Sequence, residues 1–153
     1  MTDWLHDFVA ESNRIEGILR RPTKVEIDAH SVFITLDQVS VADIETFVRA
    51  VQPNAVLRDR AGLDVRVGNH FAPRGSPRIR ANLEKILLDS LAGQSPWRMH
   101  IEYETLHPFT DGNGRSGRVL WLWCLLRSTR AEQAKSLGFL HTFYYQTLEG
   151  IRS

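Results

Sequence analysis

Apolar residues recur at helical spacing along most of the chain, and this pattern predicts a mainly α-helical fold. Near the N-terminus it indicates a helix over about residues 3–17, with Gly17 close to its C-terminal stop. Thr23 and Glu26 then fit a capping box, in which each residue satisfies a free N–H group at a helix start. Further helices are predicted at these places: after Thr23, over Val41–Val51, from about Arg78 to Leu91, and from Pro96 towards Leu106.

The hydrophobic period changes within residues 56–67, where Leu63, Val65 and Val67 alternate with polar residues. Alternation of this kind is typical of a half-exposed β-strand. We therefore predict one β-hairpin over about residues 56–67, which turns near Ala61–Gly62.

An apolar run from Val119 to Leu126 follows a glycine-rich segment. Its length would allow a buried strand, but its leucine and tryptophan content favours a helix through the centre of a bundle. One or two more helices are predicted to end the chain. Because no internal repeat or linker is visible, we expect residues 1–153 to form a single domain.

The composition narrows the classes of partner. Nineteen basic and 18 acidic residues give a net charge of +1, which predicts neither a nucleic acid nor a membrane surface as partner. The single cysteine, Cys124, lies in the apolar run and is expected to pack in the interior. The N-terminus lacks the basic region and apolar core of a secretory signal, and no apolar run is long enough to span a bilayer. The expected location is cytoplasmic.

Residues 107–118 carry the most distinctive chemistry of the chain, and read His-Pro-Phe-Thr-Asp-Gly-Asn-Gly-Arg-Ser-Gly-Arg. The segment combines a proton acceptor, a carboxylate, a glycine-rich turn and two arginines. Glycines allow backbone N–H groups to approach an anion, and a helix that starts there adds the positive end of its dipole. The segment therefore predicts a site for a phosphate compound.

The same segment resembles the signature loop of the Fic family, His-Pro-Phe-x-Asp/Glu-Gly-Asn-Gly-Arg-x-x-Arg, and matches it at every defined position. The resemblance implies a Fic-like helical bundle with one β-hairpin flap next to the active-site loop. It also implies transfer of AMP from ATP, with Mg²⁺, to a Ser, Thr or Tyr hydroxyl of a target protein. Neither that target nor the oligomeric state is readable from the sequence, so a homo-oligomer stays among the alternatives.

Chemistry and resemblance together assign roles within the loop. His107, with an ordinary pKa of about 6.5, is the expected general base for the attacking hydroxyl. Asp111 is the only carboxylate of the loop and is the expected ligand of a nucleotide-bound Mg²⁺. Phe109 is expected to anchor the loop in the core.

The remaining loop residues are expected to bind phosphate. Gly112, Asn113 and Gly114 would present backbone N–H groups to the transferred phosphate. Arg115 and Arg118 lie three residues apart and would share a helix face, from which both would hold the β- and γ-phosphates.

A second match lies far upstream, where Ser12, Glu16 and Gly17 fit the pattern Ser/Thr-x-x-x-Glu-Gly/Asn. This pattern resembles the inhibitory motif of Fic proteins that carry their inhibitor in an N-terminal helix. The resemblance implies that Glu16 pairs with Arg118 and takes the donor that the γ-phosphate needs. An exposed Ser12–Glu16 pair without a regulatory role is the structural alternative.

Other assignments stay open at this stage. The hairpin resembles the flap that holds a target segment as an added strand, and it would equally serve as a cover over the bundle. Tyr144 and Tyr145 are candidates to stack on the adenine, or to pack in the core. The functional alternatives are AMP removal through Glu16, transfer of UMP or phosphocholine, a non-catalytic nucleotide-binding module, and a protein controlled by a separate antitoxin.

Overall fold

The computed structural model describes residues 3–128 and residue 131, and the predicted C-terminal helices lie outside this range together with Tyr144 and Tyr145. Within it the chain forms six α-helices and one two-stranded antiparallel hairpin, which confirms the mainly α-helical prediction. The elements are α1 (Asp3–Ile15), α2 (Lys24–Ile34), α3 (Val41–Val51), β1 (Arg66–Val67), β2 (His70–Phe71), α4 (Pro77–Leu91), α5 (Pro96–Leu106) and α6 (Asn113–Leu126).

Local capping chemistry explains where several helices begin. The predicted capping box at the start of α2 is present, because Thr23 Oγ1 accepts from Glu26 N and the Glu26 carboxylate accepts from Thr23 N. A second capping box joins Ser40 to Asp43 at the start of α3. Both α4 and α5 start with a proline that follows a serine N-cap, as suits a position where no N–H is needed.

Helix α6 is the central helix of the described bundle. It contacts α1, α2, α3 and α5, and its apolar residues Val119, Leu120 and Leu122 have no exposed surface. The run from Val119 to Leu126 is therefore helical, as its composition predicted. Cys124 is half-buried, and burial raises the pKa of its thiol to about 12, so the thiol is not reactive at neutral pH.

The predicted boundaries of the hairpin, residues 56–67 with a turn near Ala61–Gly62, are wrong. The strands are β1 and β2, and they turn through Gly68-Asn69, where Gly68 has a φ of +57°. Apolar and polar residues do alternate up to β1, but the strand that pairs with β1 follows it in the chain and does not precede it. Leu57 instead forms an isolated antiparallel bridge with Phe109 in the loop before α6. The Gly-Asn pair is a recognised two-residue hairpin signal and would have given the correct register.

Residues 56–58 therefore run alongside the loop before α6 and are hydrogen-bonded to it. Arg58 N donates to Pro108 O at 2.9 Å, and Thr110 N donates to Val56 O at 2.9 Å. Thr110 Oγ1 also accepts from Val56 N.

In the part of the chain described, no helix has both the length and the apolar composition to span a membrane.

Candidate active site

An open cavity of about 480 Å³ lies where the end of α1, the hairpin and the start of α6 meet. It collects groups that are far apart in sequence: a carboxylate from the turn after α1, the first strand of the hairpin, and most of the loop from His107 to Gly114. The lining residues are Ile15, Glu16, Val65, Arg66, Val67, Glu104, His107, Thr110, Asp111, Gly112, Asn113, Gly114 and Arg118.

His107 caps the C-terminus of α5 in a left-handed conformation, with φ 51° and ψ 63°. Its N–H still donates to Tyr103 O at 2.9 Å, so the helix closes normally before the chain turns. Among the described residues it is the one non-glycine residue with a positive φ. A non-glycine residue in this region is strained, and such residues cluster at functional sites because the surroundings must hold them there.

Asn113 closes the loop between His107 and α6 through its side chain. Its Oδ1 accepts from Phe109 N at 2.8 Å, and its Nδ2 donates to Phe109 O at 2.7 Å. Phe109 is almost completely buried. Both polar atoms of the Asn113 side chain are therefore bonded to Phe109. Any contact of Asn113 with an anion would come from its backbone N–H at the start of α6.

The start of α6 presents backbone donors to the cavity. Gly112 is the N-cap in a left-handed conformation with φ +78°, and the first-turn N–H groups of a helix have no intrahelical acceptors. The exposed Asp111 stands beside this turn, and its Oδ1 accepts from Gly112 N at 2.7 Å. The N–H of Gly112, which was predicted to bind phosphate, is thus already bonded to Asp111. An anion placed here would meet the N–H groups of the first turn of α6 and the positive end of the helix dipole.

Arg118 is buried and held by the N-terminal helix. Its Nε donates to Ser12 Oγ at 2.8 Å, and its Nη2 donates to Ser12 O at 2.9 Å and to Glu16 Oε1 at 2.8 Å. Ser12 is fully buried, whereas 40% of the Glu16 side chain is exposed to the cavity. The structure therefore brings together Glu16 and Arg118, as the two sequence motifs predicted, and adds Ser12 as a further partner of Arg118.

Gly114 leaves the space that the Glu16 carboxylate occupies. A Cβ at this position would collide with Glu16 Oε1 and would come within 3.1 Å of Arg118 Nη1. The absence of a side chain at Gly114 therefore makes room for the Glu16 carboxylate, in addition to allowing an anion to approach. Gly17, the last residue of the upstream pattern, has a φ of +80° and lies in the turn that follows α1, directly after Glu16.

Arg115 does not share this environment, although it lies only three residues before Arg118. Its Nη1 lies 3.3 Å from Glu26 Oε2, and its Nη2 donates to Val51 O at 3.0 Å and to Gln52 Oε1 at 2.8 Å. Its side chain is absent from the cavity lining given above. The prediction that both arginines hold phosphate from one face is therefore not what the structure shows, because Arg115 is bound between α2 and the end of α3.

Glu26 is the acid that holds Arg115 in place. Its carboxylate also accepts from Arg20 Nη1 and Nη2, at 2.9 and 3.1 Å, and from Thr23 N. Burial opposes ionisation of this carboxyl, but the hydrogen bonds from Arg20 and Thr23 outweigh it and lower the pKa to about 2. Glu26 is thus a charged, multiply bonded support, a role that the capping-box pattern alone did not reveal.

Two further residues at the site were missed from the sequence. Glu104 is buried, lines the cavity and lies three residues before His107 on α5, a spacing that could have been noticed. A Cβ at Gly117 would collide with Glu104 Oε1, so that glycine makes room for the carboxylate. Arg58 is fully buried beneath the loop, and no sequence pattern marks it because its acceptors are backbone carbonyls.

Comparison with known protein families agrees with this geometry. The model of the Fic/DOC family matches residues 34–125, which is more than half of the chain. The chain therefore belongs to the Fic/DOC family and is a Fic-type enzyme, a class that commonly transfers nucleotide-related groups. The match covers the hairpin and the loop but begins after α1, so Ser12 and Glu16 lie outside it. A comparison with curated proteins finds no match.

Proposed function

We propose that this protein is an adenylyltransferase that transfers AMP from ATP to a Ser, Thr or Tyr hydroxyl of a target protein, and that Glu16 restrains it. One observation carries the proposal. A single cavity joins His107, Asp111, the helix start at Gly112–Gly114 and Arg118, while α1 places Glu16 on that arginine.

The chemistry follows from these positions. His107 accepts the proton of the target hydroxyl as its oxygen attacks the α-phosphorus, and the bond to the pyrophosphate breaks. N–H groups at the start of α6 stabilise the negative charge on the α-phosphate, since they are fixed before the reaction begins. Arg118 holds the γ-phosphate and keeps pyrophosphate in line as the leaving group.

Asp111 fits a magnesium ion that arrives with the nucleotide. The described residues contain no group of three or more His, Cys, Asp or Glu side chains that could hold a metal ion by themselves. Asp111 is an exposed carboxylate next to the anion-binding turn, and Mg²⁺ commonly takes one or two protein carboxylates with phosphate and water. Mg²⁺ bound there would neutralise phosphate charge, with Asp111 as its protein ligand.

The hairpin is the expected docking element for the target. Val65, Arg66 and Val67 line the cavity on the side of β1, so a chain segment alongside them would enter next to His107. An added strand would be held by backbone hydrogen bonds and would need little side-chain selectivity.

Restraint follows from competition for Arg118. The Glu16 carboxylate already occupies Nη2, and a γ-phosphate at the same donor would lie against a second negative charge. ATP would then bind without its γ-phosphate on Arg118. Loss of the Glu16 carboxylate would free the donor while Ser12 still supports the guanidinium from the other side.

The decisive experiment compares wild type, Glu16→Gly and the double variant Glu16→Gly/His107→Ala with labelled ATP, Mg²⁺ and a cell lysate. We expect Glu16→Gly to raise protein labelling by about tenfold or more, and the double variant to show none. Mass spectrometry should find AMP on a hydroxyl side chain. Arg127→Lys in the Glu16→Gly background is a control, because Arg127 contacts Trp123 and α2 outside the cavity. Equal labelling by wild type and Glu16→Gly would refute the restraint, and nucleotide binding without any labelling would refute transfer.

AMP removal is the second candidate, and the exposure of Glu16 favours it. Its carboxylate faces the same cavity as His107 and could orient a water molecule for attack on a target-bound AMP. Wild type incubated with a modified target and Mg²⁺ would then release AMP, and Glu16→Gly would not. The two activities make opposite demands on Glu16, so the same pair of proteins separates them.

A further inference from the structure

Arg58 is a fully buried arginine whose side chain is bonded to main-chain carbonyls. Its Nε donates to His107 O at 2.7 Å, its Nη2 to Leu106 O at 2.8 Å, and its Nη1 to Leu63 O at 3.0 Å and Pro73 O at 2.7 Å. Burial lowers the pKa of Arg58, and nearby Asp64 opposes that shift. A buried guanidinium is costly unless its donors are satisfied, so this arrangement has a specific structural use.

The two acceptors of Nη1 lie at opposite ends of the segment that carries the hairpin. Leu63 precedes β1 and Pro73 follows β2, and Gly75 N donates to Asp64 Oδ1 at 2.8 Å just beyond them. The ends also approach closely, because a Cβ at Gly75 would lie 2.8 Å from Leu63 O. Arg58 therefore ties the base of the hairpin together.

The other two acceptors lie at the end of α5. Leu106 O and His107 O belong to consecutive residues, and His107 is the strained residue with φ 51°. Orienting the carbonyl of His107 fixes the peptide plane on its C-terminal side, and Arg58 N also donates to the next carbonyl, Pro108 O. The direction in which the imidazole leaves the backbone depends on this conformation.

We propose that Arg58 is a positioning residue that couples the hairpin, where a target docks, to the conformation of His107. This inference rests on the proposed function, because His107 must act as the base for its position to affect the rate. Because one rigid guanidinium is bonded to both elements, a displacement of the hairpin base changes the direction in which the His107 imidazole points. Lysine cannot replace it, because an ammonium group is a compact point donor and does not span four carbonyls.

The test uses Arg58→Lys in the full chain with the activating Glu16→Gly change, compared with Glu16→Gly alone. We expect kcat for target labelling to fall by about tenfold or more, and ATP affinity to change by less than about twofold. Amide hydrogen exchange should rise in residues 63–75 and in residues 106–110 together. Arg127→Lys is the matched control, since that arginine also donates to backbone carbonyls, at Trp123 and Ile34, but outside the cavity. It should change neither segment.

A second variant keeps the proposal testable if Arg58→Lys fails to fold. Asp64→Ala removes the acceptor of Gly75 N at the hairpin base and a nearby negative charge, and it keeps Arg58 and its carbonyl acceptors in the chain. Coupling predicts faster exchange in both segments and a kcat reduced by roughly threefold. Faster exchange in residues 63–75 alone, or unchanged kcat in a folded Arg58→Lys protein, would overturn the proposal. No labelling by the Glu16→Gly parent would count against the proposed function, and the exchange data would still decide the coupling.

Discussion

Two buried arginines on α6 have glutamate partners in very different surroundings. Arg118 bonds to Glu16, whose side chain is 40% exposed and faces the cavity. Arg115 contacts Glu26, whose side chain is 5% exposed and is also bonded to Arg20 and to the start of α2. The Glu16 carboxylate can be hydrated when it leaves, and the buried Arg118 then keeps Ser12 Oγ and Ser12 O as acceptors. The Glu26 carboxylate has little access to water, so its loss breaks a buried pair together with its other hydrogen bonds. The Glu16–Arg118 pair therefore suits a switch, and the Glu26–Arg115 pair suits a structural support.

The largest effect should come from breaking the supporting pair. Glu26→Ala leaves Arg115 buried without its acid and removes the glutamate half of the capping box at the start of α2, so we expect the free energy of unfolding to fall by about 3–5 kcal/mol. Glu16→Ala is the matched variant and should cost clearly less, because the Glu16 side chain is partly exposed and Ser12 still accepts two hydrogen bonds from Arg118. Urea denaturation followed by circular dichroism measures both. Similar losses in the two variants would erase the distinction between support and switch.

Lowering the pH should reduce the free energy of unfolding in two separate steps, because His30 and Glu26 on α2 both have lowered pKa values. His30 lies on α2, is fully buried, and has its Nδ1 2.7 Å from Glu26 O. Burial lowers the pKa of His30 to about 4 from 6.5, so its neutral form contributes stability above pH 6.5 that is lost as pH falls towards 4. Glu26 has its pKa lowered to about 2 from 4.5, so its contribution is present above pH 4.5 and is lost as pH falls towards 2. We expect the His30 step to amount to about 3 kcal/mol.

Substitutions separate these two steps. His30→Gln should remove the loss between pH 6.5 and 4 and keep the lower one, while Glu26→Gln should do the reverse. Urea denaturation at a series of pH values gives the free energy of unfolding in each window. A wild-type stability that stays constant from pH 6.5 down to pH 4 would contradict the assignment of a buried, neutral His30.

The smallest expected effect concerns nucleotide affinity and sharpens the roles of the two arginines. In the Glu16→Gly background, Arg118→Lys should weaken ATP binding by about tenfold, because lysine cannot make the forked contact with phosphate. Arg115→Lys should leave ATP affinity within about threefold and lower thermal stability instead. Isothermal titration calorimetry and thermal melting provide the two readouts. A greater loss of ATP affinity in Arg115→Lys would restore the sequence-based assignment of Arg115 to phosphate.

Much of the fold could be predicted because its signals are local. Helix periodicity gave the start and end of α3, and Thr23 with Glu26 gave the capping box of α2. The hairpin failed because alternation shows that a strand exists and does not show which side its partner comes from. That choice was made by Gly68-Asn69, and by the loop, which took Leu57 as its neighbour.

The candidate site divides in the same way. Order and spacing of the motif put His107, Asp111 and the helix start together, since twelve consecutive residues can travel only a short distance. The meeting of Glu16 with Arg118 was also foreseen, though only through resemblance to a known pattern. Glu104 was missed although its spacing from His107 could have indicated it. Arg58 was missed because its burial and its bonds to backbone carbonyls produce no pattern in the sequence.

The sequence by itself determined the helices, their caps and the chemical groups of the loop from His107 to Arg118. Tertiary structure decided which arginine faces the cavity. Residues three apart on a helix differ by only about 60° around its axis, so both were equally placed in sequence terms. Packing of α1 against one side of α6, and of α2 and α3 against the other, gave Arg118 an exposed acid and Arg115 a buried one. A partner's exposure depends on everything packed around it, and that is a property of the whole fold.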